Sequence, residues 1–237
     1  MIRRLFCISD VHLEIRKALP SIKWPKADAL VLAGDIGCPD DLLDSFLAEV
    51  RSKYEHVIYV CGNHEMYQSE CKFADTLESL KSISSRHGVH FLYRSSVTIG
   101  DVTFHGTPLF SAIDEHVPIS DIGRVFHDRI DYLEEFVDNF KWLRKTLAEK
   151  DHEQKHVVIT HHLPTKSLIH SRYAESKYNS AFATPILDKL VMRGVRYWFC
   201  GHSHSSMVCR YGDTRLILNA MGYPSEDRTV VLNTFEI

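Results

Sequence analysis

The sequence predicts an α/β fold in which two β-sheets pack face to face and helices cover their outer faces. Short apolar runs alternate with amphipathic segments in the first half of the chain, and hairpin signals join helical segments in the second half. Continuous apolar runs of this kind are typical of strands that are buried on both sides. A pair of packed sheets with outer helices buries such strands completely.

Five of the apolar runs are predicted as strands, and each ends at a cluster of polar residues. They span residues 5–8, 29–33, 57–60, 157–159 and 197–200. Helices are predicted over about 40–54, 70–86, 131–150 and 184–193, the first capped by Asp40 and the last opened by Thr184-Pro185. Gly100-Asp101 and Gly212-Asp213 predict hairpins, and residues 229–235 predict a last strand.

No linker, internal repeat or low-complexity stretch divides the 237 residues, so we expect a single domain over residues 1–237. Two segments, at about 110–131 and 163–183, have no regular pattern. Long irregular segments in a compact domain are often functional lids. We therefore expect these two segments to lie over a site.

The composition argues against several classes of function. No window approaches the roughly 18 apolar residues of a membrane span, and the first residues lack the features of a signal peptide, so a cytoplasmic location is expected. The six cysteines form no CxxC pair and are expected to be small buried hydrophobic residues rather than disulfides. A net charge of −3 without a Lys/Arg run argues against a nucleic-acid polymer as partner. The oligomeric state is left open.

Polar clusters rich in metal-binding side chains follow all five predicted strands. They are Asp10-Val11-His12, Gly34-Asp35, Gly62-Asn63-His64-Glu65, His161-His162 and Gly201-His202-Ser203-His204. Strand ends in α/β folds converge on one crevice, so these clusters are expected to meet. Carboxylate, amide and imidazole donors without thiolates suit Mn²⁺, Fe or Zn²⁺. The donors are too many for one ion, and the sequence therefore predicts two divalent metal ions.

The order of these clusters resembles the calcineurin-like metallophosphoesterase superfamily, whose pattern is D-x-H, G-D, G-N-H-[DE], H and G-H-x-H. The resemblance implies a four-layer α/β/β/α sandwich of two mixed β-sheets flanked by helices. It also implies a metal-dependent phosphoric ester hydrolase, with manganese expected to support activity in vitro. The implied ligands are Asp10, His12 and His204 for one metal, Asn63, His161 and His202 for the second, and Asp35 as a bridge. His161 is preferred to His162 because it follows the strand directly, and His64 matches the catalytic histidine of the family.

The implied substrate is a small phosphate mono- or diester, attacked in line by a hydroxide held between the metals while His64 protonates the leaving oxygen. Glu65 is expected to be a surface carboxylate, the alternative being that it orients His64. Arginine can grip phosphate and tyrosine can stack on a base. The candidate substrate contacts lie in irregular parts of the chain and are His127, Arg129, Arg172, Tyr173 and Tyr223.

Three other functions compete with this one. A phosphoprotein phosphatase of the same superfamily has an arginine before G-N-H-E, whereas Cys61 stands there in this chain. A nuclease needs a basic groove or an added domain, and the sequence shows neither. A catalytically silent protein-binding scaffold would usually have lost His64 or several ligands. All of these are present, and the scaffold is kept as the alternative.

Overall fold

The computed structural model describes residues 1–67, 72–226 and 228–237, and its strands form two β-sheets. The first sheet contains β1 (Arg4–Ile8), β2 (Ala29–Ala33), β3 (His56–Val60), β4 (His90–Phe91) and β11 (Phe235–Glu236). Its order is β11-β1-β2-β3-β4, in which β11 is antiparallel to β1 and the other pairs are parallel. The strand predicted over 229–235 overlaps β11 only at Phe235, because residues 229–234 form no strand.

The second sheet is mixed as well. It contains β5 (Ser95–Ile99), β6 (Val102–Gly106), β7 (Lys155–Ile159), β8 (Val195–Cys200), β9 (Ser206–Tyr211) and β10 (Thr214–Asn219), in the order β5-β6-β7-β8-β10-β9. The pairs β5–β6 and β9–β10 are antiparallel, whereas β6, β7, β8 and β10 run parallel. Both hairpins predicted from Gly-Asp turns are thus confirmed.

Four α-helices are present in the described residues: α1 (Leu13–Arg16), α2 (Asp41–Lys53), α3 (Phe73–Arg86) and α4 (Arg129–Glu149). Asp40 caps α2, as predicted, by accepting hydrogen bonds from the amides of Leu42 and Leu43. The start predicted for α3 at Glu70 lies outside the described residues, as does Cys71.

The helix predicted over 184–193 is wrong. Only a 3₁₀ turn, Leu187–Lys189, forms there. Thr184 Oγ1 accepts a hydrogen bond from the amide of Ala112 at 2.7 Å, so its side chain ties two irregular segments together instead of capping a helix. The hydrogen bond between Thr184 and Ala112 thus takes the place of the helix cap that the Thr184-Pro185 sequence predicts.

Alternation along the strands produces three apolar layers. In β1, Leu5 and Cys7 lie in the core between the sheets, whereas Phe6 and Ile8 lie in the core beneath α2 and α3. A third core lies between the second sheet and α4, and Leu143 belongs to it. Both faces of both sheets are therefore covered, which confirms the four-layer α/β/β/α architecture. Within the described ranges, no helix has the length and apolar character needed to cross a membrane.

Candidate functional site

Backbone hydrogen bonds join the predicted polar clusters at the carboxyl ends of the strands. The amides of Asp10 and His12 donate to the carbonyls of Gly34 and Asp35, each at 2.9 Å, so the loops after β1 and β2 are held together. The loop after β8 joins them because the amide of His202 donates to Asp10 Oδ1 at 2.9 Å. Clusters from both sheets therefore meet at one place.

The backbone of this site is strained. Five non-glycine residues have positive φ angles in the left-handed region: Asp10 at 55°, His12 at 53°, Asp35 at 53°, His202 at 71° and His204 at 43°. Such conformations cost about 1–3 kcal/mol each and persist where the surrounding structure enforces them, commonly at functional sites. Their concentration in these loops indicates that side-chain placement, and not local backbone preference, determines the loop geometry.

The first group of donors consists of Asp10, His12 and His204. Nε2 of His12 lies 3.0 Å from Nε2 of His204, which lies 3.5 Å from Asp10 Oδ1. The Nδ1 atoms donate elsewhere, His12 to Glu14 at 2.9 Å and His204 to Glu226 at 2.7 Å. Both Nε2 atoms therefore present lone pairs to the same point, and a cation there would remove their mutual repulsion.

The second group consists of Asp35, His161 and His202, whose donor atoms lie within 4.8 Å of one another. His161 Nδ1 donates to the carbonyl of Ala33 at 2.9 Å, which leaves Nε2 with a lone pair 3.2 Å from Asp35 Oδ2. That Nε2 is buried and has no hydrogen-bond partner. A buried polar atom without a partner is costly, and a metal ion fits this position.

Asp35 lies between the two groups. Its Oδ2 is 3.8 Å from Nε2 of His12 and 3.2 Å from Nε2 of His161. Gly62 leaves room for this carboxylate, because a Cβ on Gly62 would collide with Asp35 Oδ1 and with the His161 ring. The geometry is thus suited to a carboxylate shared between two cations.

His161, and not its neighbour His162, lies beside Asp35. The His162 ring is buried against the His202 ring, with centroids 4.0 Å apart, and also faces Phe110 at 5.4 Å. Neither nitrogen of His162 has a hydrogen-bond partner. Burial keeps the pKa of His162 well below its ordinary value, so its ring is neutral.

Asn63 is oriented by two residues that sequence reasoning missed. Its Nδ2 donates to the hydroxyl of Tyr67 at 3.0 Å, and that hydroxyl donates to Asp121 Oδ1 at 3.1 Å. The carboxamide oxygen of Asn63 is thereby left buried without a hydrogen-bond partner. An amide oxygen in this state suits a metal ligand, and Asp121 lies far from Asn63 in the sequence with no motif to mark it.

His64 shares a carboxylate with His12. Glu14 Oε1 accepts from His64 Nδ1 at 3.0 Å and from His12 Nδ1 at 2.9 Å. Burial alone would lower the pKa of His64, but the Asp35 carboxylate and the hydrogen bond to Glu14 outweigh it and raise the pKa to about 8. His64 Nε2 is left facing the cleft, 3.3 Å from the hydroxyl of Tyr223. Glu14 was also missed, although its position two residues after His12 is a usable signal.

Glu65 is not the surface carboxylate that we expected from the sequence. Its side chain is fully buried and accepts hydrogen bonds from the amides of Asp35, Ile36 and Gly62 at 2.8–3.0 Å, and from the hydroxyl of Tyr59 at 2.7 Å. Burial, followed by the Asp35 carboxylate, raises the pKa of Glu65 to about 7. Glu65 therefore fixes the loop backbone, while Glu14 contacts the imidazole of His64.

A cleft of about 550 Å³ lies over the site. Its walls come from both irregular segments that were predicted at 110–131 and 163–183, and its floor contains Asp35, His64 and His202. Of the suggested substrate contacts, Tyr173 and Tyr223 line the cleft.

The other suggested contacts lie elsewhere. Arg129 donates to the carbonyls of Asp114 and Val117, both at 2.8 Å, so its guanidinium fastens a loop and does not line the cleft. Arg172 is held over the ring of Tyr173, 4.5 Å from its centroid, and His127 is exposed beside Asp128. Loop carbonyls thus hold Arg129, and Arg172 lies on the ring of Tyr173 without itself being part of the lining.

Similarity to known proteins agrees with this geometry. An uncharacterised protein of Acanthamoeba polyphaga mimivirus is 26% identical over 263 residues, covering 94% of this chain and 92% of its own length. The structure of a phosphopantetheinyl hydrolase from Mycobacterium tuberculosis matches with a TM-score of 0.74 at 18% identity, covering 100% of this chain and 96% of that one. A dimetal phosphatase from Danio rerio matches with a TM-score of 0.53 at 14% identity, covering 92% and 87%. These structural matches show a shared fold.

A family model matches most of the sequence. It is that of the calcineurin-like phosphoesterases, and residues 3–206 match it, a range that contains all five polar clusters. The chain therefore belongs to the calcineurin-like phosphoesterase family and is a metal-dependent phosphoric ester hydrolase.

Proposed function

We propose that this protein hydrolyses a small phosphate mono- or diester with two divalent metal ions bound at the strand ends. One observation carries the proposal: the buried or half-buried donors Asp10, His12 and His204 lie on one side of the Asp35 carboxylate, and His161 and His202 lie on the other. Asp10, His12 and His204 would hold one ion, Asn63, His161 and His202 the other, and Asp35 both. Donors of this kind suit manganese, iron or zinc, and manganese is the ion proposed for activity in vitro.

When bound, the ions would act as Lewis acids on the phosphoryl oxygens and lower the pKa of coordinated water. The residues of the chain supply the rest. The Nδ1 hydrogen bonds of His12, His161 and His204 fix the ring orientation that leaves each Nε2 free as a ligand. The Tyr67 hydroxyl does the same for the amide of Asn63.

His64 is proposed as the general acid. Glu14 holds its Nδ1, so the remaining proton of the imidazolium is carried on Nε2, the atom that faces the cleft. From there it can be donated to the leaving oxygen. Tyr223, whose hydroxyl is 3.3 Å from Nε2, would position His64 or the phosphoryl group. Tyr173 is 48% exposed at the cleft and is proposed to contact the organic part of the substrate.

The test uses full-length protein that has been stripped with a chelator and reloaded with Mn²⁺. Hydrolysis of p-nitrophenyl phosphate and of bis-p-nitrophenyl phosphate is measured beside metal content. We expect about two ions per chain and hydrolysis of at least one ester. Asp35→Asn should lower the metal content well below two, whereas Asp41→Asn, at the exposed start of α2, should not. Two bound ions with neither ester hydrolysed would favour the scaffold alternative, and two intact ions in Asp35→Asn would refute the bridging role.

The single-domain organisation, the cytoplasmic location, and the absence of a nucleic-acid or membrane partner remain predictions from the sequence.

A further inference from the structure

The charged side chains that line the cleft are acidic or histidine. Within residues 1–67, 72–226 and 228–237, the lining contains the carboxylates of Asp35, Asp121 and Glu226 but no lysine or arginine. Arg124 is held over the Tyr67 ring, 5.2 Å from its centroid, and is not part of the lining. Positive charge in the cleft would therefore come from bound metal ions and from histidines, of which His64, His202 and His204 lie at the donor groups and His170 lies on the segment after β7.

The remainder of the lining is largely apolar or aromatic. Pro118 and Ile119 come from the segment after β6, and Ile169 and Phe182 from the segment after β7. The Phe182 ring lies 5.0 Å from the His202 ring, so this apolar wall begins directly beside the second donor group. An ester arm that extends from the phosphorus toward this wall would meet mainly carbon atoms, with the side chains of Ser120, Ser176 and Asn179 as its polar neighbours in the lining.

We propose that the organic arm of the substrate is uncharged and largely apolar, and that it lies between Ile119 and Phe182. Burial of an apolar arm there removes apolar surface from water. An arm with additional phosphate or carboxylate groups would find no lysine or arginine in the described lining to pair with and would meet Asp121 and Glu226, so little would offset the cost of its desolvation.

This inference rests on the proposed hydrolysis. In that reaction the P–O bond to the leaving group breaks and a P–O bond to a water oxygen forms. One proton of the water is released, and the leaving oxygen gains a proton or departs as an anion. The carbon chain of the arm takes no part in the bond changes, whether its oxygen stays on phosphorus, as in a diester that loses p-nitrophenol, or departs with the chain, as in a monoester.

Matched substrates test the inference. For diesters, p-nitrophenyl butyl phosphate is compared with p-nitrophenyl 3-carboxypropyl phosphate; for monoesters, butyl phosphate is compared with 3-carboxypropyl phosphate. The arms in each pair differ by a terminal methyl against a carboxylate. With the Mn²⁺-loaded full chain, we expect kcat/KM to be at least tenfold higher for the butyl ester. Equal values, or a preference for the carboxylate, would overturn the inference while leaving hydrolysis intact. No hydrolysis of any of these esters, or of the p-nitrophenyl esters above, would instead refute the proposed function.

Substitutions in the apolar wall test where the organic arm of the substrate binds. Ile119→Lys should lower kcat/KM for the butyl ester, raise it for the carboxypropyl ester, and so reduce their ratio at least fivefold. Ile169→Lys, on the opposite segment, is the second variant should the first fail to fold. Ile130→Lys is the matched control, since Ile130 is 66% exposed on α4 and does not line the cleft. An unchanged ratio in a folded, active wall variant would show that the arm does not lie there.

Discussion

Replacing Glu14 tests whether one carboxylate positions both a metal ligand and the proposed general acid. Glu14 Oε1 accepts from His12 Nδ1 at 2.9 Å and from His64 Nδ1 at 3.0 Å, and the carboxylate is only 15% exposed. Burial would raise the pKa of Glu14, but the hydrogen bonds from His12 and His64 outweigh it and lower the pKa below its usual value. The carboxylate is therefore the acceptor for both rings at neutral pH.

The size of the effect follows from these two contacts. A hydrogen bond to a charged group contributes about 1.5–3 kcal/mol, and water entering at the partly exposed position would replace some of it. We therefore expect Glu14→Ala to raise the activation free energy by about 2–3 kcal/mol, which corresponds to a decrease in kcat of about 30- to 150-fold. Loss of a group that orients a metal ligand should also weaken metal binding about 10- to 100-fold.

Glu14→Gln separates geometry from charge. Oε2 of Glu14 is buried without a partner, so the amide nitrogen can take that position while the amide oxygen keeps both contacts. We expect Glu14→Gln to retain kcat within about tenfold of the wild type, because the amide oxygen keeps the hydrogen bonds from both rings.

Steady-state kinetics and titration of Mn²⁺ into the stripped protein measure these effects. Glu153→Ala is the control, since this side chain is 84% exposed. A kcat within threefold of wild type for Glu14→Ala, with unchanged Mn²⁺ affinity, would refute the positioning argument. Equal damage by alanine and glutamine would show that the charge, and not the hydrogen-bond geometry, matters.

Three other predictions follow from the site and the second sheet. His64→Ala should lower kcat by about 10²- to 10⁴-fold, the usual contribution of general acid catalysis, with metal content unchanged; lost metal would make His64 a ligand. Tyr67→Phe should weaken binding of one of the two ions about tenfold by freeing the Asn63 amide, and titration with Mn²⁺ showing two unaltered affinities would contradict this. Burial lowers the pKa of His105 from 6.5 to about 4, because its ring is enclosed against His156. Between pH 6.5 and pH 4 the His105 imidazole is therefore protonated in the unfolded chain but not in the folded one. The contribution of this residue to the free energy of unfolding is highest above pH 6.5 and decreases as the pH falls toward 4. From pH 8 to pH 5 the free energy of unfolding should decrease by about 2 kcal/mol through this residue. Urea unfolding of the metal-stripped His105→Asn protein should lack that decrease. An equal pH dependence in the wild type and in His105→Asn would contradict the prediction.

The sequence by itself determined the fold class and the set of donors that meet. Buried strands need continuous apolar runs, and a parallel strand places the residues after it at the shared carboxyl edge. Asp10, Asp35 and His161 each stand two residues beyond the end of such a run, so their convergence could be inferred from position along the chain. Their roles as metal ligands remain a proposal.

Only the tertiary structure decided which residues support the donors and which form the cleft. Glu14 meets His64, and Asn63 is connected to Asp121 through Tyr67, across separations with no local pattern. Glu65 is buried because the amides of two loops converge on it, a fact that depends on how β2 and β3 pair. Long side chains are the least predictable from sequence, because their charged ends go to whichever acceptor the fold places within reach. For Arg129 that acceptor was a loop carbonyl and not a phosphate.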